Sequence, residues 1–333
     1  MAVEYFEAHN FFLQKGGSLP VARLAYRTSG TLSPTGDNAV LIPSWFSGND
    51  EASETYLTGT GRALDPEKYF LIFTNLLGGG RSSSPSNSPA PSEQGRFPTV
   101  TYYDNVRLQH ALLTQRLGVE HLRLVTGWSM GACQAYQWAA QYPGMVRSAV
   151  PIAGSARTAS YNKIFLLALR RALTLDPVYA DGFYASPPIR GLKAFAAIYA
   201  GWGTSEPFFR LGHYERFGAK NHAEFLEYFW EPFYLGHDAN NLLTQLKTWE
   251  LGDISDSPAY DGDYTKALAA ITAKLITVPI DKDRYFPPED AEFAASHIPN
   301  GRCATVESTW GHMAPMDPNL KETFDALFHE ALS

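Results

Sequence analysis

Five consecutive residues, Gly127-Trp128-Ser129-Met130-Gly131, set a hydroxyl between two glycines, one two residues before it and one two residues after. A serine hydroxyl is a weak nucleophile until an imidazole takes its proton, and that imidazole needs a carboxylate to fix its tautomer and stabilise its charged form. The pentapeptide therefore demands one histidine and one acid elsewhere in the chain. Nine histidines are present, of which His297, His312 and His329 fall in the last part of the sequence. His312 stands just past a strand-like run, in Glu307-Ser308-Thr309-Trp310-Gly311-His312, whereas His297 and His329 lie in polar helical stretches and should face solvent. His312 is the expected base. For the acid, Asp281 and Asp283 both follow the aliphatic run 275–278. Composition does not separate them, and the one left over is a turn-capping or surface carboxylate.

The G-x-S-x-G pattern places its serine on a sharp strand-to-helix turn, and in the fold that uses this turn the order along the chain is serine, acid, histidine. Leu122-Arg123-Leu124-Val125-Thr126 reads as the strand before it, and the run from Ala132 to Ala140 as the helix after it, stopped by Tyr142-Pro143-Gly144. A turn that tight strains the serine backbone and leaves room only for small side chains two residues away, which Gly127 and Gly131 supply. The helix then aims its first amides at the serine, so the Met130 amide can donate to an oxyanion. A second donor should come from Ser44-Trp45-Phe46-Ser47-Gly48 after the 39–43 run, with the Phe46 amide preferred and Trp45 the alternative. Trp45, Trp128 and Met313 flank these groups and are candidate pocket residues.

Strand-like runs at 39–43, 70–74, 122–126, 148–152, 275–278 and 303–306 alternate with helical stretches. That pattern predicts a mostly parallel sheet flanked by helices, and together with the serine turn it predicts an α/β-hydrolase fold. The expected core is residues 1–154 and 265–333. Residues 155–264, rich in aromatic side chains at irregular helical spacings, should form an inserted helical lid whose aromatics mostly pack, with a minority lining a pocket. The stretch from Leu77-Gly78-Gly79-Gly80-Arg81 to Gly95 is expected to be a solvated loop, and without a Gly-Lys-Ser/Thr ending it is no phosphate cradle.

The 333 residues carry a formal net charge of −7 with no basic run, which argues against a nucleic-acid backbone or an anionic membrane surface as partner. No basic leader with an apolar stretch and no apolar run of about 18 residues occurs, so a cytoplasmic protein is expected. Cys133 and Cys303 should be buried free thiols. Histidines and cysteines show no metal-ligand spacing, and neither a metal nor another cofactor is expected. The expected partner is a small-molecule ester, thioester or other acyl donor.

Taken together, Thr74-Asn75-Leu76-Leu77-Gly78-Gly79, Phe97-Pro98-Thr99-Val100-Thr101, Gly127 to Gly131, Asp283 to Pro288 and Gly311-His312 resemble the homoserine O-acetyltransferase family of α/β-hydrolase-fold enzymes. The resemblance implies a Ser129–Asp283–His312 triad, with Asp283 as the acid because the family's aspartate immediately precedes an x-Leu-Phe-Pro-Pro-like run. It also implies acyl transfer through an acyl-serine, a helical lid and a homodimer formed through that lid. Two departures stand out. Family members that acetylate homoserine typically carry an aspartate directly after the histidine, to hold the substrate amine, where this chain has Met313. They also carry a lid arginine in a Gly-Leu-x-x-Ala-Arg-like motif, where Gly191-Leu192-Lys193-Ala194-Phe195-Ala196 ends on alanine; Lys193 would sit on a different helical face. A charged amino acid in a desolvated pocket needs both charges met. The expectation is therefore an esterase- or thioesterase-like acyl hydrolase, with an O-acyltransferase as the alternative. A non-catalytic binding scaffold is the remote third reading, and it would normally lack a triad member.

Overall fold

The computed structural model describes residues 2–333. Its sheet has eight strands: β1 (Glu4–Phe12), β2 (Ser18–Ser29), β3 (Ala39–Pro43), β4 (Phe70–Thr74), β5 (Leu124–Trp128), β6 (Ser148–Ile152), β7 (Lys274–Thr277) and β8 (Gly301–Cys303). Their spatial order is β1-β2-β4-β3-β5-β6-β7-β8. β2 runs antiparallel to both β1 and β4, and every other pairing is parallel. The central strands β3, β5 and β6 are buried at every position, the signature of a parallel sheet covered on both faces.

The sequence reading lacks β1 and β2, because neither contains a continuous aliphatic run. β1 lies at the sheet edge and is mostly exposed, and β2 mixes Pro20, Arg23 and Arg27 among its apolar residues. Two further corrections concern boundaries. The strand expected at 122–126 lies two residues later, so that Gly127 and Trp128 still belong to β5, while Leu122 makes only an isolated bridge to Val146. The strand expected at 303–306 ends at Cys303, and Val306 pairs separately with Ile280.

Helices α1 (Asp50–Leu57), α2 (Tyr102–Leu112) and α3 (Met130–Gln141) follow β3, β4 and β5. Between β6 and β7 the chain forms α4 (Ser160–Thr174), α5 (Ile189–Gly203), α6 (Glu206–Arg210), α7 (His222–Phe225), α8 (Glu231–Leu235) and α9 (Ala239–Glu250), then α10 (Tyr264–Ala269). α11 (Pro288–His297) and α12 (Lys321–Leu332) complete the chain. Alternation along the strands feeds two cores. Val40, Ile42, Phe73 and Leu124 pack with Leu57 of α1 and Phe324 and Phe328 of α12. Leu41, Ile72, Val125 and Leu275 pack against α2, α3, α10 and α11 through Val106, Trp138, Ala267 and Ala294. The helices between β6 and β7 hold a third core of their own, with Phe165, Phe195, Phe208, Phe225, Tyr234 and Trp249 buried. Phe46, Met130, Tyr285 and Met313 enter that cluster from the sheet side.

The segment from Leu77 to Gly95 is irregular but not solvated throughout. Leu77, Ser82, Ser83 and Ser84 are buried, since their side chains and amides pair with β2 and with one another: Ala25 N donates to Ser82 Oγ at 3.0 Å and Ser83 N to the Arg23 carbonyl at 2.9 Å. Burial of the two cysteines is also uneven. Cys133 is buried in α3, and desolvation pushes its thiol up to about 11, whereas Cys303, on the edge strand β8, is only half-buried.

Candidate active site

β5 ends in the serine turn. Ser129 has φ 59° and ψ −123°, a left-handed conformation that costs a non-glycine residue about 1–3 kcal/mol and persists only where the surroundings enforce it. Three glycines allow those surroundings to close in. A Cβ on Gly127 would lie 2.6 Å from the carbonyl carbon of Gly131, one on Gly131 would collide with the Pro43 carbonyl oxygen, and one on Gly154 would meet the Ser129 carbonyl oxygen at 2.8 Å. The Ser129 amide donates to the Ile152 carbonyl at 2.9 Å, tying the turn to β6. Ser129 Oγ is buried and has no hydrogen-bond partner among the described residues.

The loop after β7 brings Asp283, not Asp281, to the histidine. His312 Nδ1 lies 2.6 Å from Asp283 Oδ2, and the other carboxylate oxygen of Asp283 accepts from the amides of Tyr285 at 2.7 Å and Phe286 at 3.3 Å. Asp283 and His312 are both buried. Asp281 instead accepts from the Ser308 amide at 2.8 Å and pairs with Lys282. It therefore braces the loop leading to His312 without touching the ring. With Nδ1 engaged, Nε2 is the nitrogen left for a reacting group. Trp128 Nε1 donates to the His312 carbonyl at 3.1 Å, and the ring of Tyr285 meets the imidazole edge-on at a centroid distance of 4.6 Å.

Ser129 and His312 line one cavity of about 190 Å³. Trp45, Phe46, Trp128 and Met313 line it from the sheet side, and Tyr199, Phe229, Trp230, Phe233 and Tyr234 from the helices between β6 and β7. No Asp, Glu, Lys or Arg among the described residues lines the cavity, and burial pushes the phenols of Tyr56, Tyr199 and Tyr234 up, so they stay protonated. Lys193 points elsewhere and is paired with Glu231 at 2.6 Å. The amides of Met130, at the first position of α3, and of Phe46 have no acceptor among the described residues, and both residues are buried. A hydroxyl that shares a cavity with an imidazole held by a carboxylate, with the unpaired Phe46 amide in the lining residues and the unpaired Met130 amide next in the chain, can carry out nucleophilic attack on a carbonyl carbon. No cluster of three metal-ligating side chains occurs among the described residues.

The aromatic wall is the part that residue types alone identify least. Tyr199, Phe229, Trp230, Phe233 and Tyr234 all fall in the aromatic-rich stretch 155–264, where residue types do not separate lining from packing members. Four of them carry one signal in the sequence, their density: Phe229, Trp230, Phe233 and Tyr234 occur within six residues.

Residues 42–318 match the family described as alpha/beta hydrolase fold. The chain belongs to that family. Among its relatives is an ethyl acetate hydrolase of Pseudomonas veronii, 38% identical over 325 residues that cover 96% of this chain and 93% of that protein. A homoserine O-acetyltransferase of Trichormus variabilis is 32% identical over 316 residues, covering 91% of this chain and 87% of the other. The solved structure of the acetyl esterase MekB superposes with a TM-score of 0.97 at 36% identity, covering 100% of this chain and 97% of that one. This α/β hydrolase is thus an enzyme of a group that holds both acyl hydrolases and acyltransferases, and no helix among its described residues is long and apolar enough to cross a membrane.

Proposed function

We propose that this chain hydrolyses small uncharged esters through an acyl-serine. His312 Nε2 takes the proton of Ser129 as Oγ adds to the ester carbonyl carbon, and Asp283 holds the imidazole and offsets its charge. The amides of Met130 and Phe46 donate to the oxyanion that forms. The adduct collapses, the alkoxy oxygen leaves with the proton from His312, and the acyl group remains on Ser129. A water molecule, deprotonated by the same histidine, then adds to the acyl carbon, and collapse releases the carboxylic acid and restores the serine.

One observation carries the choice of substrate: the cavity that holds Ser129 and His312 offers no charged side chain for an ammonium or a carboxylate. Met313 stands where the family's amine-binding aspartate would be, and Lys193 is already paired outside the cavity. A zwitterionic acceptor would lose its hydration there without compensation. The small, mostly aromatic cavity suits a short acyl group and a short alcohol, in keeping with the ethyl acetate hydrolase and acetyl esterase among the relatives. Residues 155–264 act in this reading as a lid over the strands' carboxyl ends. Tyr161, Ile164 and Leu167, exposed at helical spacing on α4, support pairing of two copies through that lid, and two unpaired cysteines suit a cytoplasmic setting.

Ethyl acetate and, separately, acetyl-CoA with homoserine are offered to the enzyme, with acid release, O-acetylhomoserine and the intact protein mass recorded after rapid quenching. The expected result is acetic acid from the ester, a transient mass gain of one acetyl group and negligible O-acetylhomoserine. Robust O-acetylhomoserine formation with slow ester hydrolysis would establish the acyltransferase instead.

A further inference from the structure

The loop that carries the Phe46 amide is a turn closed by the Gly48 amide donating to the Trp45 carbonyl at 3.1 Å. The Trp45 carbonyl and the Phe46 N–H belong to one peptide plane and point in opposite directions. Whatever holds that carbonyl inward on Gly48 therefore turns the Phe46 N–H outward. The turn depends on its third residue, Ser47, at φ 55°, a left-handed position that glycine or asparagine would fill at little cost and serine does not. The Ser47 hydroxyl donates to the Phe46 carbonyl at 2.6 Å, and the contacts to its backbone come from the helices between β6 and β7. Its amide donates at 2.7 Å to Oε1 of Gln245, a buried residue of α9, and its carbonyl faces His237 Nε2 at 3.0 Å. The Phe46 ring is buried on the same side, 5.6 Å from Tyr199 and 6.0 Å from Trp249 between ring centroids.

Gln245 is in turn placed by a motif that the hydrolytic chemistry does not use. A Cβ on Gly78 would lie 2.5 Å from Thr244 Cγ2, and one on Gly79 would lie 2.5 Å from Gln245 Nε2. The two glycines let α9 come down onto the loop after β4, and Thr248 Oγ1 fastens the helix there by donating to the Val100 carbonyl at 2.9 Å. We infer that Gln245 is a positioning residue for the oxyanion hole: through Ser47 it holds the Phe46 amide in its donating orientation, and Gly79 is glycine so that Gln245 can reach. The inference rests on the reading of Phe46 as an oxyanion donor in ester hydrolysis. Its consequence is that the helices between β6 and β7 set the catalytic rate as well as the shape of the cavity.

The test compares Gln245→Leu, Gly79→Ala and the double variant in ethyl acetate hydrolysis, with affinity for a methyl trifluoromethyl ketone that forms a tetrahedral adduct on Ser129. Losing an oxyanion donor outright costs about 10²–10³ in kcat, so displacing one should lower kcat about tenfold. KM should stay within about twofold, because the neutral ester does not need the hole before it reacts. Affinity for the ketone should fall in parallel with kcat, Gly79→Ala should act in the same direction, and the double variant should be no worse than Gln245→Leu, since both remove one contact. Wild-type kcat in Gln245→Leu, unchanged ketone affinity, or additive losses in the double variant would overturn the inference. If Gln245→Leu does not fold, Gly79→Ala decides alone, because its methyl group meets first the far end of a flexible side chain, at 2.5 Å, and the Leu76 carbonyl oxygen only at 3.1 Å. An active Ser129→Ala control would sink the hydrolytic reading itself, whereas an inactive control with an unaffected Gln245→Leu sinks only the role of Gln245.

Discussion

Ser129, Asp283 and His312 stand at the carboxyl ends of β5 and β7 and in the loop beyond β8, where hydrogen bonds and close backbone approaches fix each of them. Ser129 is fixed by a turn and its glycines, and Asp283 by two amides in its own loop. Tyr199, Trp230 and Tyr234 reach the same cavity from α5, the turn of helix before α8, and α8 itself, and nothing local dictates which of their rings face it. They are placed by packing on one another, as in the Tyr199–Trp230 contact at 5.6 Å and the Tyr199–Tyr234 contact at 5.1 Å. The sheet half of the site is built by hydrogen bonds and forbidden Cβ positions, which are discrete and unforgiving. The helical half is built by apolar contacts, which tolerate exchange among shapes of similar volume. Substrate preference can drift in such a wall while the reaction stays constant.

The contrast predicts its largest effect at the serine. Ser129→Ala should lower kcat by about 10⁶, the cost of losing a nucleophile that acts as one unit with its base. It should also abolish covalent labelling by a fluorophosphonate, read by intact mass. Labelling at full stoichiometry would move the nucleophile elsewhere and erase the distinction between the two halves.

Next comes the acid, where two neighbours in sequence should behave differently. Asp283→Asn should cost about 10⁴ in kcat, because the amide cannot hold the required histidine tautomer. Asp281→Asn should stay within about tenfold of wild type, since it loses a loop brace and an exposed ion pair worth at most about 1 kcal/mol. Equal losses in kcat/KM for the two variants would refute the division of labour between them.

These residues also mark how much was legible. The serine turn, the singling out of His312 and the existence of the central strands follow from short-range patterns: an aliphatic run, two glycines, a histidine past the last strand. The choice of Asp283 over Asp281 came from family resemblance, because two carboxylates two residues apart at a strand end differ only in which way the loop folds. β1 and β2 escaped detection because an edge hairpin can be half polar, and the burial of Ser82 to Ser84 escaped because it depends on partners about 60 residues away in β2. The aromatic wall and the Gln245–Ser47 contact, 198 residues apart in sequence, are long-range packing and leave no local signature.

A smaller effect is expected on the rim between the halves. Met313→Asp would place a carboxylate in a cavity with no cation to meet it, so kcat/KM for ethyl acetate should fall roughly tenfold, in line with about 1–3 kcal/mol for a buried group left uncompensated. Homoserine acetylation should not appear, because the carboxylate-binding cation is still missing. Appearance of that activity in the single variant would show that one charge suffices.

The smallest effect should come from the helical half. Tyr234 is buried, its hydroxyl has no hydrogen-bond partner among the described residues, and its ring carries the contacts to Phe195 and Tyr199. Tyr234→Phe keeps the ring and removes a hydroxyl that was dehydrated on folding without full compensation. Replacing such a group by an apolar one of the same shape is neutral or stabilising. The melting temperature should therefore stay level or rise, with kcat/KM for ethyl acetate within about twofold of wild type, a change of at most about 0.4 kcal/mol. A loss of tenfold or more in kcat with the fold intact would mean that the hydroxyl takes part in the reaction. The wall would then be as exacting as the serine turn.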